Sequence, residues 1–559
     1  MGCIGRRTGF WGRAFDLHPR GMRMTGNIVQ RRGLRLYSMA GVMLAATLLT
    51  AVCGGEEETT RGPAAVAAPT EAQPPDSGQP KRGGTLRVAV VRDHSTFDPP
   101  IVVAVPDIVF TRQSYDNLIL RDPDDLSLAP MLAESWEQNG DLTQFTFRLR
   151  PGVKFRHGKE FTAEDVVYTF NRLLDPDVGS PIAATLDFVK NVAALDERTV
   201  VFDLDSPNAY LPDLVTLYHA RIIPSDIHPE RLVTEEFGTG PFFLKEHVED
   251  ERIVMTRNAE YWWEGYPYLD GVIFFYIPDP ETRTGALTTG VVDVIHDLVP
   301  SSVPALDADP ETRVSEAASA AYLSLAMDMR VPPFDNILVR KALQAATDRE
   351  AILQVAQFGK GEIAYDHPIP SNDPLFWEGS RDAASRYDIE RAEALLEEAG
   401  YPDGIDLTLY TSTSVATMVE MAVVFKEKAA PAGIRVKIQR EPEENYWTDV
   451  WMVKPFTTAW WGGRAPEEAL SVAYKSDAEW NESRYENPRV DELIIKARSQ
   501  ADRADRRESY WEIQRTLIDE VPRIIPVFGP VFRGLRLNVR DCEANQKSKL
   551  LLYKCWLDD

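Results

Sequence analysis

The sequence predicts a mixed α/β protein of several domains. Three observations carry this: short apolar–polar runs of strand period, amphipathic stretches of helical period mixed with them to the end, and 559 residues without an internal repeat. At roughly 100–200 residues per domain, that length holds three to five units. The composition is that of a globular chain, 44% hydrophobic and 26% charged.

The first element stands apart from the fold. Arg31, Arg32 and Arg35 precede Leu36–Val52, 17 uncharged residues that stop at Cys53. A positive flank, a short apolar core and small residues near its end predict a secretory signal over 1–52. The alternative is an uncleaved membrane anchor, for which this length is at the lower edge. The stretch from Gly54 to Gly84 holds five prolines and no aromatic residue. It predicts a disordered tether over 53–83. This beginning resembles that of bacterial lipoproteins, which implies that Cys53 is the lipid-anchored first residue of the mature chain. Thr50 and Val52 stand where such signals carry Leu and a small residue.

The body then opens with a strand, "TLRVAVVRD", Thr85 to Asp93. In "QFTFRLRPGVKFRHG", Phe145, Phe147 and Leu149 share one strand face. Pro151-Gly152 turns the chain, and Val153 to Phe155 are expected to return as the second arm of a hairpin. In "FTAEDVVYTFNRLLDP", Thr162 and Asp165 form a capping box, and Val166, Val167, Phe170, Leu173 and Leu174 make the helix's apolar stripe before Pro176. "YDIERAEALLEEAGYPDG" predicts a second helix with Ile389, Ala392, Leu395, Leu396 and Ala399 inward, stopped by Gly400 and Pro402. Near the end lie Cys542 and Cys555, 13 apart. In an exported chain such a pair predicts a disulfide, with two free thiols or metal ligation as the alternatives.

Charge and motifs exclude several functions. The first 52 residues hold eight arginines and one acid, so beyond them the formal charge moves from −25 to −32. A field of that sign repels nucleic-acid phosphates, so no nucleic-acid partner is expected. The chain lacks a G-x-S-x-G elbow, an H-E-x-x-H helix and a phosphate-binding G-x-x-x-x-G-K-[ST] loop. His94, His157, His219, His228, His247, His296 and His367 are scattered without metal-ligand spacing. No enzymatic activity, cofactor or metal site is expected.

Five stretches, in order, carry a family resemblance: "LAESWEQNGDLTQFTFRLRPGVKFRHGKEFTAEDVVYTFNRLLDP", "GTGPFFLKEH", "MTRNAEYWWEGYPYLDGVIFFYIPDPETRTGALTTGVVDV", "PPFDNILVRKALQAATDREAI" and "YDIERAEALLEEAGYPDG". They resemble the oligopeptide, dipeptide and nickel-binding solute-binding proteins of ABC importers, family 5. The resemblance implies a two-lobed periplasmic-binding-protein-like fold of cluster C, class II type, with an extra domain inserted in lobe I. By analogy, lobe I comprises 84–115, 235–312 and 526–559, the inserted domain 116–234, and lobe II 313–525. It further implies an extracytoplasmic monomer that encloses a small solute and presents it to the permease's transmembrane subunits. The solute is peptide-like, with an opine, oligosaccharide or metal chelate as the alternative, and a sensing role beside transport.

Most matching residues, including Gly152, Gly158, Gly240, Pro241 and Asp348, are expected to serve turns, caps and packing. The ligand site is expected in "FTTAWWGGRAPEEALSVAY", Phe456 to Tyr474. By resemblance, Trp460 matches a cleft tryptophan, and Gly463 takes the place of an aspartate that grips a peptide ammonium, with Arg464 beside it. Without that carboxylate an α-amino group loses its charged partner, while arginine offers a fork suited to carboxylate, phosphate or a sugar ring. Glu467 and Glu468 are the nearest alternative acids, with solvation their default. Trp460 and Trp461 face opposite ways on a strand, so at most one reaches the cleft. Tyr322, Tyr115 and Asp328 complete the expected site, the first two as cleft aromatics and the last as an inward acid.

Overall fold

In the computed structural model, residues 78–558 are described, apart from 124–125, 416 and 444. The expected signal and the lipid-anchor residue Cys53 lie outside the described residues. One eleven-stranded sheet runs through both lobes. Lobe I contributes, in sheet order, Val294–Ile295, Thr85–Val90, Gly271–Tyr276, Arg252–Arg257 and Phe242–Val248. Lobe II contributes Phe456–Trp461, Ile405–Thr411 and Ile434–Arg440, and the short strand Glu362–Ile363, which pairs off this path with Arg523–Arg536. Between the two sets lie the longest strands, Thr312–Met327 and Arg523–Arg536, which pair antiparallel and cross from one lobe to the other.

The crossing is where the pairing fails. Arg313 pairs with Leu535 in lobe I and Tyr322 with Phe528 in lobe II, but the register breaks between Ala317 and Ala321. Ala318, Ser319 and Ala320 there stand opposite Pro530, which has no N–H to give a ladder. A bulge of this kind bends the ribbon and leaves it few cross-strand bonds. The Ser319 hydroxyl partly substitutes, donating to the Gly529 carbonyl at 2.9 Å and accepting from the Ala321 amide at 3.0 Å.

Lobe II packs helices on both faces of its sheet. On one face Leu323, Leu325, Leu409 and Phe456 pack with helices Ile337–Ala345, Arg349–Ala356 and Met418–Ala429. On the other, Tyr322, Ala459 and Trp461 pack with Leu470, Leu493, Ile513 and Leu517. The helix at Ile389–Glu398 buries Ala392 and Leu396 while Ile389, Leu395 and Ala399 are half-buried. Asp348 caps its helix by accepting from the Ala351 amide at 2.9 Å.

The insertion is a four-stranded antiparallel sheet in the order Ala133–Gln138, Gln144–Leu149, Thr199–Leu204, Val189–Asp196, backed by helix Ala163–Leu174. Phe145, Phe147 and Leu149 face its core, and the Thr162–Asp165 capping box forms. The expected return arm at Val153–Phe155 does not pair with Gln144–Leu149. Both edges of that strand are already occupied, and the chain makes only an isolated bridge between Lys154 and Glu160. The insertion leaves lobe I at Asp116 and returns through "GTGPFF". There the buried Asp116 carboxylate accepts from Thr239 at 3.0 Å, Trp262 at 2.8 Å and Tyr261 at 3.2 Å. A Cβ on Gly238 would fall 1.7 Å from the Ser114 carbonyl oxygen, so only glycine lets the outgoing and returning chains touch.

Under lobe II's end of the crossing lies a wholly buried ion pair. Arg523, the first residue of the second crossing strand, meets Glu482 at 2.8 Å, and neither side chain has exposed surface. Glu482 also accepts from the indole N–H of Trp461 at 3.2 Å and of Trp451, and from the Ser324 hydroxyl at 3.3 Å. Burial alone would lower Arg523, but Glu482, with Tyr474 and Tyr322, outweighs it and holds the guanidinium above its ordinary pKa. No helix among the described residues is long and apolar enough to cross a membrane. The terminal segment is clipped by the Cys542–Cys555 disulfide, with Cα atoms 5.0 Å apart.

Two stability outcomes follow from these contacts. Glu482→Gln leaves Arg523 buried without a counter-charge and costs about 3–5 kcal/mol in denaturant unfolding; a loss below about 1 kcal/mol contradicts the assigned pairing. Cys542→Ser with Cys555→Ser removes a short loop closure and costs about 3 kcal/mol at most.

Candidate functional site

Where the Trp strand ends, the chain reads Gly462-Gly463-Arg464-Ala465 and enters helix Pro466–Ala473. Trp461 pairs with Tyr322 on the first crossing strand, so both rings point to one face, 6.1 Å apart and nearly parallel at 15°. Glu482 fixes the indole from below. Arg464 lies on the other side of this layer, its guanidinium carbon 5.2 Å from the Trp461 ring and 5.4 Å from Trp480. A guanidinium held against two indoles keeps its fork in a set plane and remains fully charged. It donates to the Gly462 carbonyl at 3.1 Å, and its Nε lies 3.3 Å from a Glu468 oxygen without hydrogen-bond alignment.

Arg464 forms part of the wall of a cavity of about 190 Å³ between the lobes. Lobe II adds Asp373, Glu467 and Arg506; the insertion adds Arg121, Tyr210 and Asp213; the crossing strand adds Ala320; the terminal segment adds Gln546 and Lys547. The two halves are shut over it. The Ala209 amide of the insertion donates to the Arg498 carbonyl of lobe II at 2.7 Å, and the hydroxyls of Tyr210 and Tyr510 meet at 2.7 Å. A second cavity of about 70 Å³ lies farther along the same contact, by Thr185, Ser471 and Arg498.

The acids of the wall are largely spoken for. Asp213 pairs with Arg121, and Glu467 with Arg498 at 2.6 Å and with the Tyr510 hydroxyl at 3.1 Å. The cations are less compensated. Lys547 has no hydrogen-bond or ion-pair partner among the described residues. Burial holds it down at about 8; Arg121 and Arg464 add to that effect, against Glu468 and Asp373, which raise it. Behind it, Lys549 is held well below its ordinary value by burial and then by Arg112, Lys547, Arg121 and Arg221. Tyr218, raised chiefly by burial, is lowered by Arg464 of lobe II, Arg221 of the insertion and Arg112 of lobe I, against Glu468, which raises it. The cleft of this acidic chain is therefore electropositive.

Against the expected set, Arg464 reaches the cavity, while Trp461 and Tyr322 form the layer beneath it. Gly463 is not a wall residue of the cavity. A Cβ there would lie 3.3 Å from the Ala320 amide and 3.4 Å from the Gln546 carbonyl, so glycine admits the close approach of three chain segments. Trp460 points to the opposite face, is 38% exposed and is not a wall residue. Tyr115 is buried instead among Ile223, Leu232 and Phe237, its hydroxyl accepting from the Phe237 amide at 3.0 Å. Asp328 is at the far end of the crossing strand, paired with Arg330 at 2.7 Å. Glu467, expected in solvent, is buried. Arg121, Arg506, Lys547, Glu482 and Trp480 were not foreseen. Nothing in their local sequence tells a wall from a surface.

Residues 127–482 match the model of the bacterial extracellular solute-binding proteins, family 5 (middle region). The di/tripeptide-binding protein 2 of Pseudomonas aeruginosa is 29% identical over 466 residues, covering 76% of this chain and 86% of that protein. The heme-binding protein A of Haemophilus influenzae is 26% identical over 518 residues, 86% of this chain and 92% of its own length. The periplasmic binding protein DppA of Helicobacter pylori, solved with the peptide STSA, superposes with a TM-score of 0.78 at 26% identity, covering 86% of this chain and 99% of that one. With the family model matching more than half of its length and the fold in agreement, this chain belongs to the family 5 bacterial extracellular solute-binding proteins.

Proposed function

We propose that the protein captures a small, acid-bearing, peptide-like solute between its lobes and delivers it unaltered to an ABC importer's transmembrane subunits. It acts as a monomer, held to the outer face of the membrane by lipid on Cys53. The observation that carries the solute class is the surplus of positive charge on the cavity wall, with Arg464 seated on Trp461 and Trp480. A carboxylate entering there meets a preoriented fork and the unpaired Lys547, a charge-assisted pairing stronger than neutral hydrogen bonds. An incoming ammonium meets the same field with the wrong sign. Size supports a small guest, since about 190 Å³ is close to the ~150 Å³ of an engineered cavity that holds benzene. Closure about the crossing strands buries the guest and makes the surface a permease reads.

A thermal-shift screen of the purified protein against dipeptides, small mono- and dicarboxylic acids, sugars and metal chelates tests the reading. Acid-bearing compounds raise the melting temperature, and a saturating hit adds several kcal/mol. Arg464→Ala weakens that hit by about 2 kcal/mol or more, and Trp461→Ala weakens it as well. A hit indifferent to both removes the guest from this wall.

Affinity for the acid also falls with rising pH. Lys547 is charged below about 8 and neutral above it, and only the charged form attracts a carboxylate. A bound anion raises that pKa, so the loss begins near the free value of about 8, runs at up to about tenfold per pH unit, and ends at the raised pKa of the complex. Calorimetric titrations between about pH 7 and about pH 10 follow it, and Lys547→Gln flattens the profile. An affinity that rises over this range contradicts the assignment. Metabolic labelling with palmitate is expected to mark the wild-type chain and not Cys53→Ala; equal labelling of both removes the anchor.

A further inference from the structure

Far along the chain from the cleft residues, lobe I gathers three metal-ligating side chains that the sequence separates. Asp93 and His94 follow the first strand, Thr85–Val90, and His247 is near the end of the edge strand Phe242–Val248. Asp93 Oδ1 lies 2.8 Å from His94 Nδ1, and the same carboxylate lies 2.9 and 3.1 Å from His247 Nε2. One donor atom from each residue falls within 4.8 Å of the others. None of the three belongs to the cavity wall between the lobes.

The three donors are held to different degrees. His94 is 5% exposed at its side chain, its ring 4.1 Å from Phe97 and 5.6 Å, edge-on, from Phe110. The Asp93 carboxylate is fixed by the backbone amides of His94 at 2.6 Å and Asp250 at 3.0 Å. Each carboxylate oxygen has two lone pairs, so these bonds leave acceptor capacity for a cation. His247 is 32% exposed and faces solvent. Two anchored donors and one at the surface leave an open side, as in sites where three protein ligands and a water complete a tetrahedron.

We propose that Asp93, His94 and His247 form a binding site for one divalent ion of the zinc class. Two imidazoles and a carboxylate suit Zn²⁺, Co²⁺ or Ni²⁺ rather than Mg²⁺ or Ca²⁺, which take oxygen ligands. Ligand bonds of about 2.0–2.2 Å require the donors to draw in slightly, with the His247 contact to Asp93 exchanged for a bond to the ion. The nitrogens that now face Asp93 give up any proton they carry when the ion enters, so binding releases protons. The ion ties the Phe242–Val248 hairpin to the segment after the first strand. The Asp250 amide bond to Asp93 already makes this connection, and metal strengthens it.

The test uses untagged, chelator-treated full-length protein titrated with ZnCl₂ in a calorimeter and, separately, with CoCl₂ in a spectrometer. One equivalent of Zn²⁺ binds, and Co²⁺ gives the visible absorption bands of a four- or five-coordinate ion. His247→Ala, an exposed position that the fold tolerates, weakens binding by at least about tenfold and removes the bands. Asp93→Asn does the same, whereas His157→Ala, at another partly exposed histidine, and Arg464→Ala, in the solute site, change neither. Zn²⁺ binding that persists in His247→Ala, absence of binding in the wild type, or bands lost in Arg464→Ala overturns the site. Because solute capture is read on Arg464 and metal on His247, failure of either assignment leaves the other standing.

Discussion

Two strands that pair along most of their length, and part most widely at the crossing, constrain everything else in this molecule. Thr312–Met327 and Arg523–Arg536 belong to both lobes, so each lobe's sheet is built on the same two strands. Regular pairing would fuse the lobes into one stiff slab. The break at Ala317–Ala321, with Pro530 opposite, weakens the ribbon at its crossing, and a smaller register shift between Leu323 and Leu325 follows within lobe II. The cavity touches this point through Ala320, and the Trp strand closes beside it through Gly463. Bending at the ribbon is thereby coupled to the distance between the walls.

The wall's orientation comes from the interior rather than from the cavity. Arg523 begins one crossing strand, Glu482 neutralises it, and Glu482 in turn holds the Trp461 and Trp451 indoles. Trp461 is the seat of Arg464. A buried ion pair of this kind adds little net stability over an apolar replacement, but loss of one member is costly. Its role here is geometric, since it lets a charged fork stand at a fixed angle over an aromatic layer. The cleft is thus electropositive inside a chain of formal charge −25, and a low-dielectric pocket focuses that local field despite the acidic exterior.

Much of the local structure was legible from periodicity. The strand at Gln144–Leu149, the capping box at Thr162 and the stripe at Ala392 and Leu396 follow from spacing alone, because one face of each must meet a core. The hairpin return at Val153 was misread because strand propensity does not say which edges are already taken. The two-lobed architecture came from the order of five motifs, which local patterning does not supply. Within the site, opposite facing of Trp460 and Trp461 followed from the strand period, yet period alone does not choose the cavity side. Tyr115 and Asp328 sat near the right segments in sequence but were carried elsewhere by a buried aromatic cluster and a local ion pair. Lys547 and Arg121 join the wall only because the terminal segment and the insertion fold back over lobe II, a non-local event. His94 and His247 illustrate the same point, 153 positions apart in sequence and edge to face with ring centroids 4.6 Å apart in space.

The central claim is that two rigid halves close on a guest by bending at the crossing strands. Pulsed electron resonance between spin labels at Val103 in lobe I and Val423 in lobe II, both exposed, measures it directly. Without solute the distance distribution is broad or double, and saturating acid guest collapses it to a single shorter distance. A distribution that stays the same with and without the guest contradicts the account.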